Sequence, residues 1–127
     1  MPIKILSVDD SKMVRMLLTR AFKKFDCQLI EAGNGAEGVR MAAEHKPDLV
    51  ILDFTMPEMD GLEVMTALKS NPELKSIPVV MLTAERSQTV VVELGKLGVR
   101  DYLMKPFKEQ DIIDRVGRIV QLVPIAG

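Results

Sequence analysis

Apolar residues in this chain gather in short runs, separated by longer stretches in which they recur every third or fourth position. The runs are Ile3 to Val8, a weaker one at Gln28 to Ala32, Leu49 to Leu52, Ile77 with Val79 to Leu82, and Asp101 to Met104. Apolar runs without alternation read as strands buried on both faces, the kind found in parallel sheets with helices on either side. Between the first two runs, Val14, Leu17, Leu18, Ala21 and Phe25 follow helical spacing behind Ser11, a plausible N-cap, with Lys12, Arg15, Arg20, Lys23 and Lys24 on the other face. A second helix follows the Asn34-Gly35 turn signal, carries Val39, Met41, Ala42 and Ala43, and is closed by Pro47. A third spans Gly61 to Lys69 and ends at Asn71-Pro72. Gln88 to Leu97 is the weakest helix, because Val90, Val91 and Val92 are poor helix formers and Gly95 costs about 1 kcal/mol relative to Ala. Ile112, Val116, Ile119, Val120 and Val123 line the last helix, and Pro124 begins a short tail. Strands alternating with helices give an α/β domain with a parallel sheet covered on both faces.

The polar residues that end the runs carry the chemistry. The first strand delivers Asp9 and Asp10 to its tip, the third Asp53, the fourth Thr83 and the fifth Lys105. In a parallel sheet these tips share one edge, where α/β folds bind ligands. Crowded carboxylates raise one another's pKa unless a cation sits among them, and an all-oxygen ligand set favours a hard ion, Mg²⁺ before Mn²⁺ or Ca²⁺. Lys105 adds a positive charge and Thr83 a hydroxyl, so the set is able to neutralise an arriving phosphoryl group, which is what phosphoryl transfer demands of a protein.

Composition narrows the field. The 127 residues suffice for one compact domain, and the net charge of -1 offers no global positive field for nucleic acid. Apolar runs too short to span a bilayer, and no signal-like N-terminus, lead to the expectation of a cytoplasmic protein with no membrane partner. One cysteine, Cys27, and one histidine, His45, exclude an internal disulfide and a Cys/His zinc cluster.

Taken together, Asp9-Asp10, Asp53 with Met56-Pro57 and Asp60-Gly61 behind it, Thr83-Ala84 and Lys105-Pro106-Phe107 resemble the receiver domains of two-component response regulators, the chemotaxis kind included. The resemblance covers residues 3 to about 122, leaving 123–127 as a tail or the start of a linker. It implies a flavodoxin-like (βα)5 sandwich with strand order 2-1-3-4-5, the order that flavodoxin and the chemotaxis members of this family share. It implies that Asp53 takes a phosphoryl group from a phosphohistidine on a sensor histidine kinase or phosphotransfer protein, and that the chain dephosphorylates itself. By the same resemblance Asp10 and Asp53 hold Mg²⁺ with the Thr55 carbonyl, Asp9 acts through bound water, and Lys105 contacts the phosphoryl oxygens. Thr83 and Tyr102 form the switch pair, Thr55 and Glu85 set the phosphate lifetime, and the Lys105–Pro106 bond is cis. The output partner would meet the surface of the fourth helix, fifth strand and fifth helix, with the fourth helix and the 83–88 loop reorganising on phosphorylation. Leu94, Leu97 and Val99 depart from the family's usual small alanines, which bears on the packing of the fourth helix.

Other readings compete with this one. Gly33, Asn34, Gly35, Ala36, Glu37 and Gly38 match G-x-G-x-x-G between a strand and a helix, with an acid, Asp53, about twenty residues on, which is the dinucleotide fingerprint. The strand before it carries Gln28 and Glu31, and a dinucleotide carrier leaves Asp9, Asp10, Thr83 and Lys105 without a role, so Asn34-Gly35 reads as turn chemistry. A flavin carrier would meet repulsion from Asp9 and Asp10. A receiver-like binding module with a phosphorylation-silent pocket is the remaining alternative.

Overall fold

A computed structural model describes residues 2–84 and 88–125 of the chain. The elements alternate as the hydrophobic pattern predicts: β1 (Ile3–Val8), α1 (Lys12–Phe22), β2 (Cys27–Ala32), α2 (Gly35–His45), β3 (Leu49–Asp53), α3 (Gly61–Ser70), β4 (Val79–Thr83), α4 (Gln88–Lys96), β5 (Asp101–Met104) and α5 (Glu109–Gly117). The strands form one sheet in the order β2-β1-β3-β4-β5, every neighbouring pair parallel.

Alternation along β3 shows why its apolar run is unbroken. Leu49 and Ile51 join a core cluster with Leu18, Phe22 and Ile112, under α1 and α5. Val50 and Leu52 join the opposite cluster with Ala42, Val64, Met65 and Leu94, under α2, α3 and α4. All four are fully buried, and each such side chain contributes about 1.5–3 kcal/mol. Asp53 therefore terminates a strand with no face in water.

Helix ends are set by local chemistry. The Ser11 hydroxyl accepts from the Val14 N–H at 3.3 Å, and Asn34 Oδ1 accepts from the Glu37 N–H at 2.8 Å. Asp60 and Glu63 form a reciprocal capping box on α3. α2 stops at Lys46, which takes the left-handed conformation at φ 46°, immediately before the expected stop at Pro47.

Some boundaries differ from the periodicity. Phe25 continues the helical spacing of α1, but the helix ends at Phe22 and Phe25 lies in the following turn, packed against the α1–α5 cluster. Ile119 and Val120 likewise pack there from beyond the end of α5. Turn residues folded under a helix end bury apolar side chains as helical ones do, so the spacing outlasts the helix. β4 begins at Val79, after Pro78, whose carbonyl accepts the Val50 N–H at 3.0 Å. Val123, expected on the last helix, lies in a segment that pairs back with the α1–β2 turn. The Asp26 N–H donates to the Val123 carbonyl at 2.7 Å and the Ile125 N–H to the Lys24 carbonyl at 2.9 Å. The three bulky departures are accommodated: Leu94 is buried, and Leu97 and Val99 pack half-buried on the same cluster.

Candidate functional site

Backbone hydrogen bonds hold the strand tips in register at the carboxyl edge of the sheet. The Asp9 N–H donates to the Ala32 carbonyl at 3.1 Å, Phe54 N–H to Leu82 at 2.8 Å and Lys105 N–H to Thr83 at 2.8 Å. Strand alternation then sorts the side chains. Asp9 follows Ile5 and Ser7 toward the α1–α5 face and is fully buried, whereas its neighbour Asp10 turns outward and is exposed. Asp53 follows Leu49 and Ile51 to that same face and is 2% exposed. Carboxylate oxygens of Asp9, Asp10 and Asp53 lie within 4.8 Å of one another.

Lys105 reaches into this cluster from the end of β5. Its Nζ donates to Asp53 Oδ1 at 2.9 Å and stands 3.7 Å from Asp9 Oδ2. The second distance is an ion-pair contact and too long for a hydrogen bond, so Asp9 Oδ2 is buried without a hydrogen-bond partner among the described residues. The other Asp9 oxygen accepts the Ser11 N–H at 2.7 Å. Burial pushes the Asp9 carboxyl up to about 6, the Ser11 N–H opposes this, and the Asp53 charge adds to it. Burial also raises Asp53, against the opposing hydrogen bond and charge of Lys105 and the Thr55 N–H. Three carboxylates facing one ammonium leave negative charge unbalanced, and the donor atoms are all oxygens. The residues therefore fit a hard divalent cation.

The set nominated by the strand-tip pattern is brought together at Asp9, Asp10, Asp53 and Lys105, with Thr55 beside Asp53 through its backbone N–H. Thr83 is buried at the tip of β4. Tyr102 stands apart from the acids on β5, 37% exposed. Glu85 lies outside the described residues. The Lys105–Pro106 peptide is cis. Ser7 is the residue that the strand-tip pattern misses: it is a hydroxyl inside an apolar run, fully buried beneath Asp9, and its Oγ has no hydrogen-bond partner among the described residues. The one available signal is a polar residue interrupting an otherwise apolar strand.

The glycine-rich G33–G38 segment works as packing. A Cβ on Gly38 would stand 2.7 Å from both Val8 methyls, and one on Gly35 would stand 2.7 Å from the Met59 carbonyl oxygen. These glycines let α2 lie against the end of β1 and the loop after Asp53.

Residues 5–117 match the family described as the response regulator receiver domain. The chain belongs to that family. This receiver is 34% identical over 117 residues to the protein PilH of Pseudomonas aeruginosa, covering 92% of this chain and 97% of that one. It is 36% identical over 118 residues to the transcriptional regulatory protein SrrA of Staphylococcus aureus, covering 93% of this chain and 48% of that one. Among solved structures it superposes on the chemotaxis protein CheY4 of Vibrio cholerae with a TM-score of 0.89, at 28% identity over 94% of this chain and all of that one. The receiver domain of a signal transduction histidine kinase from Syntrophus aciditrophicus gives 0.83, at 35% identity over 92% of this chain and 89% of that one. The protein is thus a receiver domain of two-component signalling, a family that works between histidine kinases and downstream effectors. Among the described residues no helix is long and apolar enough to cross a membrane.

Proposed function

We propose that the protein is a phosphorylation switch whose phosphoacceptor is Asp53. The observation that carries this reading is the Lys105 ammonium 2.9 Å from Asp53 Oδ1, beside the oxygens of Asp9 and Asp10. An Asp53 carboxylate oxygen attacks the phosphorus of a phosphohistidine on a sensor kinase or phosphotransfer protein. The P–N bond breaks and its electron pair leaves with the imidazole. Small acyl phosphates serve in the same way through their P–O bond. Asp10, Asp53 and the Thr55 carbonyl would hold Mg²⁺, or Mn²⁺ in its place, with Asp9 acting through water; the ion would lend positive charge to the phosphoryl oxygens.

Lys105 exchanges its carboxylate oxygen for a phosphoryl oxygen as the group arrives, and the Thr83 hydroxyl donates to another. Tyr102, exposed at rest, turns inward into the space that Thr83 leaves. This changes the face formed by α4, β5 and α5, which an output partner reads. In self-dephosphorylation a water oxygen attacks phosphorus, the Asp53 carboxylate departs with the bonding pair, and the proton of water passes to phosphate or solvent. By the family resemblance, Thr55 and Glu85 set the lifetime.

Intact-mass spectrometry after incubation with acetyl phosphate tests the reading. The expected result is a Mg²⁺-dependent gain of one phosphoryl group in the wild type and none in Asp53→Asn. Uptake by Asp53→Asn at equal stoichiometry would overturn the assignment. No wild-type uptake despite Mg²⁺ binding would favour the phosphorylation-silent binding module.

A further inference from the structure

Two buried oxygens on one face of β1, Ser7 Oγ and Asp9 Oδ2, have no hydrogen-bond partner among the described residues. Their chemistry is complementary, since a hydroxyl donates and accepts whereas a carboxylate only accepts. Asp9 follows directly on the end of β1 and keeps a strand-type backbone bond to Ala32, so its side chain and that of Ser7, two residues back, point to the same face, separated by a rise of about 7 Å. Ile5, the next residue down that face, lies in the α1–α5 core cluster, and Ser7 pairs in register with Ile51, the residue below Asp53. Ser7 thus occupies the floor of the acidic site, fully buried, one step below the Asp9 carboxylate.

A buried polar group that lacks a partner is destabilising, and native proteins satisfy such groups with protein atoms or with ordered water that has two to four polar contacts. Ser7 Oγ and Asp9 Oδ2 supply two. We propose that Ser7 is a positioning residue for the metal site: through one buried water it donates to Asp9 Oδ2, fixing the carboxylate that faces the cation. The proposal rests on the reading of Asp9, Asp10 and Asp53 as a Mg²⁺ site. It goes beyond that reading by assigning part of the site's affinity to a residue that touches neither metal nor phosphoryl group.

Groups that orient metal ligands from behind typically change affinity by about 10-fold or more when removed. Mg²⁺ binding by isothermal titration calorimetry and metal-free stability by urea denaturation are therefore measured on wild type, Ser7→Ala and Ser7→Thr. The expected result is a roughly 10-fold weaker Mg²⁺ affinity in Ser7→Ala with no gain in metal-free stability, and recovery of affinity in Ser7→Thr, which keeps the hydroxyl. A hydroxyl that is merely buried and unpaired gives the opposite pattern: Ser7→Ala binds Mg²⁺ as the wild type does and unfolds at higher urea. That result overturns the proposal while leaving the metal site standing. Wild-type protein that bound no Mg²⁺ would overturn the metal site and the proposal together, and Ser7→Thr binding as weakly as Ser7→Ala would also overturn the proposal, since the hydroxyl would then carry no affinity.

Discussion

Lys105 holds two opposed relations to the acids around it. Its ammonium stabilises the buried Asp53 carboxylate at 2.9 Å, yet it competes with a divalent cation for the same oxygen. Replacing it with methionine keeps much of the length of the side chain and removes the charge. Lys105→Met should therefore bind Mg²⁺ at least as tightly as the wild type while taking up phosphoryl groups from acetyl phosphate roughly 100-fold more slowly, the scale of losing one preorganised donor at a developing charge. Calorimetry and time-resolved intact mass separate the two effects; parallel losses in both would show that the variant had damaged the fold. Most of this site is legible in the sequence, because a charged residue that ends an apolar run must face the solvent edge of a sheet, and Asp9, Asp53 and Lys105 each do so. The difference between buried Asp9 and exposed Asp10 is less visible there, since it depends on which face of β1 carries α1. Ser7 shows there only as a polar residue inside an apolar strand. Whether a hydroxyl inside an apolar strand finds a partner depends on what the other elements bring to that face.

At the scale of the element, α4 stands apart from the other helices. It buries only Leu94 fully and leaves Val92 47% exposed. The glycines within and after it have opposite physical roles. Gly95 lies within the helix, is exposed, and a Cβ there would meet nothing within 4 Å. Gly98 turns the chain out of the helix at φ +85°, where a Cβ is disfavoured and would come within 3.4 Å of Lys69 Cε. Gly95→Ala should stabilise the domain by about 0.5–1 kcal/mol and Gly98→Ala destabilise it by about 1 kcal/mol or more. Urea denaturation of both variants checks the pair, and equal signs would refute this account of the helix. The sparse burial of α4 accompanies the low helix propensity that Val90 to Val92 and Gly95 give it in the sequence, propensity being a local property. Periodicity overruns the ends of α1 and α5 because Phe25, Ile119 and Val120 bury their side chains in turns at the same spacing as the helix before them. The pairing of 123–125 with 24–26 joins segments about a hundred positions apart, and no local pattern announces such a contact.

At the scale of the whole molecule, alternating patterns give the number of strands and their parallel sense, whereas the order β2-β1-β3-β4-β5 depends on which way each crossover turns and came only from resemblance. That order puts β1 and β3 side by side in the middle of the sheet, and so sets two buried acids against each other. Their burial has a consequence for stability. Asp9 is raised from 3.8 to about 6 and Asp53 is raised too, burial being the main cause in each. The folded protein then holds these protons more tightly than the unfolded chain. The resulting stabilisation is complete below the unfolded value of 3.8 and is lost as pH rises through about 6 for Asp9, amounting for that residue to at most about 3 kcal/mol. Metal-free protein should therefore melt at a lower temperature at about pH 7.5 than at about pH 5, and Asp53→Asn, which removes one of the opposing charges, should reduce that difference. A cation that neutralises the cluster should restore the loss where it is largest. Calorimetric melting in chelator and in millimolar Mg²⁺ at both pH values is expected to show a clearly greater gain on Mg²⁺ addition at the higher pH. An equal gain at both would mean that the folded protein does not hold these protons more tightly than the unfolded chain.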